Sequence, residues 1–414
     1  MFVCFFREAS AQWVQTNGPH RGAIHAFVIY DSMLYAGTDS EGVFWTNDSG
    51  GHWMNTSIQD TSHRNSYIDA FMVNGGRLYA GSAAPLNGGN IYRTADSGAS
   101  WSSALLPHSV VTSVYALATS GGHLFGAVDN FGPPDNGVIV STDSGATWVT
   151  AVSIWCNAFV VTDTNIFANS VGGNDSGGVW RAKSDSGISG GWEHWKNEFD
   201  NSEWNCLIAA GGNLFVGRYD YIYISTDNGV QWSLTNEGNP QIPHGHIIYS
   251  LASFDNIVFA ATDSSILYTT NYGGQWYDVN GNLPISNTLT PLIAYNGYLY
   301  AGKDSTVWRR SISNILSAVK DQPGVSPSNF SLTQNYPNPF TASTQIDYDV
   351  SQFGAVRLDV LNALGETVAT PVHAERSAGH YAAQFNGEQL PNGVYFVRLT
   401  ANGAVQTRMM EVLR

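Results

Sequence analysis

Between residues 24 and 310 the chain alternates short apolar runs with clusters of Gly, Asn, Asp and Ser, and one run keeps returning in nearly the same form. It reads Leu34-Tyr35-Ala36-Gly37, Leu78-Tyr79-Ala80-Gly81, Leu124-Phe125-Gly126-Ala127 and Ile166-Phe167-Ala168-Asn169. It continues as Leu214-Phe215-Val216-Gly217, Val258-Phe259-Ala260-Ala261 and Leu299-Tyr300-Ala301-Gly302. A run that recurs roughly every 44 residues marks a repeat architecture. An apolar strand precedes each copy, as at Ile24-His25-Ala26-Phe27 or Val114-Tyr115-Ala116-Leu117. A short strand such as Val43-Phe44-Trp45 or Ile222-Tyr223-Ile224 comes after it, and a glycine turn then leads to a strand that opens with Trp. Four short strands per unit, separated by turn residues, predict the blades of an all-β, seven-bladed β-propeller.

The tryptophans explain how the ring closes. Trp13, Trp53, Trp101, Trp148, Trp192, Trp232 and Trp276 open the fourth strands. The seventh unit stops at Trp308-Arg309-Arg310 without such a strand, whereas Trp13 stands ahead of the first unit with nothing else of a blade around it. The Trp13 strand is therefore expected to be the outer strand of blade seven, which removes the exposed edges of an open ring. On this reading the propeller spans 12–312.

The turn before each Trp has its own pattern: Thr46-Asn-Asp48-Ser-Gly50, Thr94-Ala-Asp96-Ser-Gly98, Ser141-Thr-Asp143-Ser-Gly145, Ser225-Thr-Asp227-Asn-Gly229 and Thr269-Thr-Asn271-Tyr-Gly273. A sixth copy, between Ala182 and Trp192, is degenerate. The pattern resembles the Asp-box of BNR-repeat propellers. Its carboxylate accepts backbone N–H groups across the hairpin and its glycine supplies positive φ, so Asp48, Asp96, Asp143, Asp227 and Asn271 are expected to be structural rather than catalytic.

After Ser311 the periodicity gives way to Ser, Asn, Pro and Val, which reads as a linker over 313–329. Residues 330–414 then show alternating strands with Asn-Gly and Leu-Gly turns, the pattern of a small immunoglobulin-like β-sandwich. This stretch opens with Asn335-Tyr336-Pro337-Asn338-Pro339-Phe340 and contains Gly365, Gly393 and Tyr395 in Leu364-Gly365-Glu366 and Gly393-Val394-Tyr395-Phe396. It resembles the type A C-terminal sorting domain of type IX (Por) secretion substrates, departing from it at Thr341-Ala342, where the family usually has Asn-Pro. The resemblance implies a Bacteroidetes-type host, recognition by the outer-membrane type IX translocon, removal of the domain and attachment to surface lipopolysaccharide. It implies a secreted or cell-surface location reached through the periplasm.

Composition agrees with export. Charged residues are 12 % of the chain, about half the ordinary share of roughly 25 %. A net charge of −15 without any Lys or Arg cluster argues against a nucleic-acid partner. The sequence lacks a run of 18 apolar residues, so no membrane span is expected. Residues 1–11, with apolar positions before Ala9-Ser10-Ala11, read as the remnant of a signal peptide. Cys4, Cys156 and Cys206 follow no zinc spacing, and Cys156 and Cys206 are either two small core residues or a disulfide.

Aligning the inner strands gives a polar column of His25, Asp69, Tyr115, Asn157, Asn205, Tyr249 and Thr290, expected to line the central channel. A column of small residues follows it: Ala26, Ala70, Ala116, Ala158, Cys206, Ser250 and Pro291. Tyr67, Trp155, Glu203 and Trp204 lie beside the polar column. Aromatic faces next to Asn and Asp suit a carbohydrate. No metal or cofactor is expected from motifs, although the Asp/Asn-Gly loops at 82–90, 129–137 and 169–178 carry oxygen ligands of the kind calcium takes.

Three functions are compatible with this pattern. The first is a secreted or surface-displayed, non-catalytic binding propeller for a glycan or a protein. The second is a glycoside hydrolase of sialidase-like or xyloglucanase-like type, for which Asp69 and Glu203 are the candidate carboxylate pair. Sialidases need an arginine triad, and Arg21, Arg64 and Arg218 fall in suitable loops, but the Phe-Arg-Ile-Pro motif is missing and seven blades are one too many. The third resembles the propeller assembly factors of photosystem II, which bind protein partners. Fold alone does not choose among them, and binding is favoured over catalysis.

Overall fold

The computed structural model describes residues 12–56, 58, 67–83, 89–107, 111–130, 137–170, 178–183, 191–195, 204–219, 221–235, 247–284, 291–318, 330–350, 354–362, 366–376, 379–401 and 404–413. They form two compact units that part between Ile312 and Ser313.

The first unit holds seven antiparallel four-stranded sheets. The inner strands are Ile24–Tyr30, Tyr67–Asn74, Val111–Ser120, Cys156–Val161, Trp204–Ala210, Ile248–Phe254 and Leu292–Tyr295. Each inner strand lies beside the next, and the seventh returns to the first, so the sheets form a closed propeller. In the last blade the strand Val14–Gln15 pairs with Thr306–Ser311, Val14 opposite Arg309 and Gln15 opposite Trp308.

The recurring tetrapeptide has a packing reason. Its aromatic residue is fully buried in every blade: Tyr35, Tyr79, Phe125, Phe167, Phe215, Phe259 and Tyr300 are all 0 % exposed. Burying such a side chain stabilises by roughly 1.5–3 kcal/mol. Tyr35, Ile68 and Leu78 share one core cluster across the first two blades, and Ile24, Leu34, Tyr300 and Val307 share another that joins the seventh blade to the first. Glycine at the fourth place allows this approach. A Cβ on Gly37 would lie 2.5 Å from the Ile68 carbonyl oxygen of the next blade, and one on Gly302 would lie 2.6 Å from Ile24 Cβ.

The turns before the tryptophans are closed by side chains. Thr46 Oγ1 donates to Asp48 Oδ1 at 2.8 Å and accepts the Gly50 N–H at 2.9 Å, while Asp48 Oδ1 also accepts the His52 N–H at 2.9 Å. The same bonds recur around Asp96, Asp143, Asp227 and Asn271. The left-handed backbone covers two residues in each turn, not the glycine alone: Ser49, Ser97, Ser144, Asn228 and Tyr272 also have positive φ, between 55° and 60°. The tryptophans reach across blades, Trp53 Nε1 donating to Thr16 Oγ1 at 3.2 Å and Trp101 Nε1 to Thr56 Oγ1 at 3.3 Å.

The structure decides one alternative left open and adds one element. Cys156 and Cys206 are free thiols, both buried, in the inner strands of neighbouring blades. They are core residues and not a disulfide, and burial pushes both thiols up, Cys206 to about 12. The segment expected to be a linker begins with a helix, Ile312–Ala318, because Ile312 and Ile315, three positions apart, put two fully shielded apolar side chains on one helical face.

The second unit is a β-sandwich. One sheet has three strands in the order Ser331–Leu332, Ser343–Val350, Gly379–Asn386. The other has four, in the order Thr367–Arg376, Gly354–Leu361, Gly393–Ala401, Ala404–Val412. Alternate residues of both sheets, among them Ile346, Tyr348, Leu358, Val397, Leu399 and Met410, form its core. Among the described residues no helix is long and apolar enough to cross a membrane.

Candidate functional site

The polar column coincides with a backbone feature that sequence patterning does not show. In the first blade, strand pairing passes from Ile24 opposite Thr38 to Ala26 opposite Gly37, leaving His25 without a paired residue. The same irregularity falls at Asp69, between Ile68 and Ala70, and at Tyr115, between Val114 and Ala116. It falls again at Asn157, between Cys156 and Ala158, and at Asn205, between Trp204 and Cys206. A β-bulge bends its strand and re-aims the extra side chain. Five consecutive blades thus carry a polar residue at a bulge, on the rim where inner strands begin and second strands end.

The first three blades bring charged and aromatic groups together. His25 Nδ1 lies 3.3 Å from Asp69 Oδ1, and the His25 ring meets Tyr67 edge to face at 6.1 Å between centroids. Burial holds the Asp69 carboxyl above its ordinary range; the His25 imidazole pulls against this and the Asp39 carboxylate adds to it. Tyr115 donates its hydroxyl to Asp129 Oδ2 at 3.3 Å, and burial also raises the Tyr115 phenol. In the fourth blade Asn169 Nδ2 donates to Asn157 Oδ1 at 2.6 Å, while Asn169 Oδ1 accepts the Ala158 N–H at 2.6 Å. In the sixth and seventh blades burial raises the Tyr249 phenol, with Asp263 adding to it, and lowers the Lys303 ammonium against the pull of Asp304 and Asp263.

Several other expected members lie outside the described residues. Glu203 and Thr290 lie outside the described residues, as does Arg64, and only the backbone of Trp204 and Asn205 is described. Without Glu203 the described rim offers no geometry for the expected carboxylate pair. Arg21 is exposed and paired with Glu41 at 3.5 Å. Arg218 is buried, its guanidinium 5.8 Å from the Tyr221 ring and 5.9 Å from Tyr223. Among the described residues no group of three His, Cys, Asp or Glu side chains stands close enough to hold a metal ion. Of the loops 82–90, 129–137 and 169–178, which carry oxygen ligands of the kind calcium takes, residues 84–88, 131–136 and 171–177 lie outside the described residues.

One rim residue escaped the sequence reading. Tyr219 is 46 % exposed and Trp155 42 %, and these are the exposed aromatic side chains among the described residues of the propeller. Trp155 immediately precedes the inner strand of blade four, and Tyr219 immediately follows the second strand of blade five. Both stand on the rim that carries the bulges. The signal for Tyr219 lay two places after the recurring tetrapeptide, where Asp39, Asp129, Asp263 and Asp304 stand in other blades.

In the second unit the opening motif is tied into the sandwich. Asn335 is buried and donates from Nδ2 to the Pro337 carbonyl at 3.1 Å and to Thr344 Oγ1 at 2.9 Å. The Tyr336–Pro337 and Asn338–Pro339 bonds are cis. Asn338 Oδ1 accepts the Glu411 N–H at 2.8 Å, and Phe340 is buried edge to face against Phe385. Tyr336 is 81 % exposed. Tyr395 donates to the Pro391 carbonyl at 3.0 Å, Gly393 opens the strand that carries Tyr395, and Gly365 lies outside the described residues.

Comparison with solved structures places the propeller among known ones by fold. YCF48 from Cyanidioschyzon merolae is 14 % identical with a TM-score of 0.52, over 73 % of this chain and 99 % of that one. A GH74 xyloglucanase from Xanthomonas campestris is 14 % identical with a TM-score of 0.60, over 82 % of this chain and 59 % of that one. The extracellular domain of the putative one component system BT4673 from B. thetaiotaomicron is 14 % identical with a TM-score of 0.54, over 96 % of this chain and 52 % of that one. No curated protein matches the sequence significantly. Residues 334–412 match the secretion system C-terminal sorting domain. The second unit is thus a sorting domain of type IX secretion, and the protein is exported to the cell surface or the extracellular space.

Proposed function

We propose that the protein is a non-catalytic binding propeller, displayed or released by type IX secretion, which takes a glycan or protein ligand at the rim formed by the bulge residues. The observation that carries this reading is the bulge itself. A residue is left out of the strand register at the same place in five successive blades, and these residues are His, Asp, Tyr, Asn and Asn. Packing alone gives no reason to place polar residues there, because the next position in each strand already supplies the small residue that convergence on the axis needs. Asp69 is largely buried beside His25, a condition enriched at ligand sites.

The turn aspartates, which resemble Asp-boxes, belong to the scaffold. Their oxygens are engaged by their own hairpins. During export the sorting domain is recognised by the outer-membrane translocon, and after its removal the propeller is attached to surface lipopolysaccharide. A glycan-array screen of the full chain, run beside hydrolysis assays on sialosides and plant β-glucans, tests the reading. Binding without turnover, weakened by Asp69→Asn, supports it. Turnover abolished by Asp69→Asn makes the protein a glycoside hydrolase instead.

A further inference from the structure

Blade four departs from the repeat at one buried position. The last residue of the recurring tetrapeptide is Gly37, Gly81, Ala127, Gly217, Ala261 or Gly302 in the other blades, and Asn169 here. Asn169 is 0 % exposed. A buried amide in a column of glycine and alanine is unfavourable unless its hydrogen bonds are made. They are made to the bulge: Asn169 Oδ1 fixes the Ala158 N–H and Asn169 Nδ2 fixes Asn157 Oδ1. With its oxygen held, Asn157 keeps its Nδ2 hydrogens free of any protein partner among the described residues. Asn169 is thus a positioning residue, and what it positions is a hydrogen-bond donor at the rim.

Two exposed aromatic residues share the rim with that donor. Trp155 is two residues before Asn157, and Tyr219 stands on the same rim of blade five, whose inner strand packs against that of blade four. Neither side chain makes a protein hydrogen bond among the described residues. Exposed rings on the same rim as an oriented amide fit a ligand with apolar C–H faces and hydroxyl edges. A protein partner would call for a wider apolar centre than these two rings provide.

We infer that the propeller binds an oligosaccharide across blades four and five, with sugar faces on Trp155 and Tyr219 and a hydroxyl accepting from Asn157. This deepens the binding reading above and rests on it. The test is isothermal titration of the full chain with the strongest hit from an array of linear and branched oligosaccharides. Trp155→Ala and Tyr219→Ala are each expected to weaken binding roughly tenfold, the loss of one stacked ring. Asn169→Gly is expected to weaken binding similarly and, because the Ala158 N–H loses its partner, to lower the melting temperature. Asn157→Asp, which keeps the acceptor that Asn169 holds and removes the donor, is expected to weaken binding with the melting temperature unchanged.

Unchanged affinity in both aromatic variants overturns the inference, as does a silent array with a chain that still melts cooperatively. Binding of a protein that is weakened by Asp69→Asn but indifferent to Trp155→Ala and Tyr219→Ala also overturns it, while leaving the broader binding reading intact.

Discussion

Asn282 clasps Trp13 from both sides of its peptide backbone, although the two residues are 269 positions apart. Asn282 Oδ1 accepts the Trp13 N–H at 2.7 Å, and Asn282 Nδ2 donates to the Trp13 carbonyl at 3.0 Å. The Trp13 indole donates to the Val279 carbonyl at 2.8 Å, which also accepts from Arg310 at 2.8 Å. The segment that completes blade seven is thereby fastened to blade six.

This clasp makes a measurable contribution. Asn282→Ala leaves a buried N–H and carbonyl at Trp13 short of partners, a loss of about 1–3 kcal/mol. The melting temperature of the propeller is expected to fall by roughly 3–8 °C. An unchanged melting curve shows that ring closure depends on strand pairing alone.

The turn aspartates predict an acid limb of stability. Hydrogen bonds from Thr147, first from its side chain and then from its backbone, with that from Ser141, hold the Asp143 carboxyl down at about 2. For Asp96 the bonds from Ser100 and Thr94 do the same, also to about 2. A carboxyl lowered by folding stabilises above its unfolded value of 3.8 and loses that contribution as pH falls toward 2. Stability measured from pH 5 to pH 2 should therefore fall through this window, and Asp143→Asn should flatten the fall.

Asp69 predicts the opposite sign. Its carboxyl is raised by burial, so its contribution is fullest at low pH and is lost as pH rises through its folded value. Asp69→Asn should melt above the wild type at pH 7–8, by about 1–3 °C, with the gap closing in acid. The same substitution should weaken ligand binding. Greater stability with poorer binding is the pattern of a residue kept for function.

Within the sorting domain, Phe340→Ala removes a buried ring and should cost about 3–5 kcal/mol. Asn335→Ala removes one donor each from Thr344 Oγ1 and the Pro337 carbonyl, which still accepts from Thr344, and should cost about 1–3 kcal/mol. Tyr336→Ala touches no core and should leave the melting temperature within about 1 °C. Differential scanning calorimetry of the full chain reads all three on the transition of the second unit.

The repeat makes the blades legible in the sequence. A buried aromatic and a close-approach glycine at fixed places are demands of packing, and they recur wherever two blades meet, as at Gly37 against Ile68. The polar column from His25 to Asn205 was legible as a column but not as a set of bulges, because an extra residue in a strand looks like any other residue in sequence. Tyr219 and the helix at Ile312–Ala318 escaped for a related reason. The first depends on which rim a strand end occupies, and the second is a single pair of isoleucines in an otherwise polar stretch. Ligand identity depends on the geometry at one rim, which no spacing rule encodes.

The most direct measurement compares the full chain with a His25→Ala, Asp69→Asn, Asn157→Ala triple variant on one saccharide array and on washed outer surfaces of whole cells, with product analysis of every bound sample. The account predicts that the wild type binds and releases no product, and that the triple variant keeps its fold but loses binding. Equal binding by the variant, or product formed by the wild type and not by the variant, would contradict it.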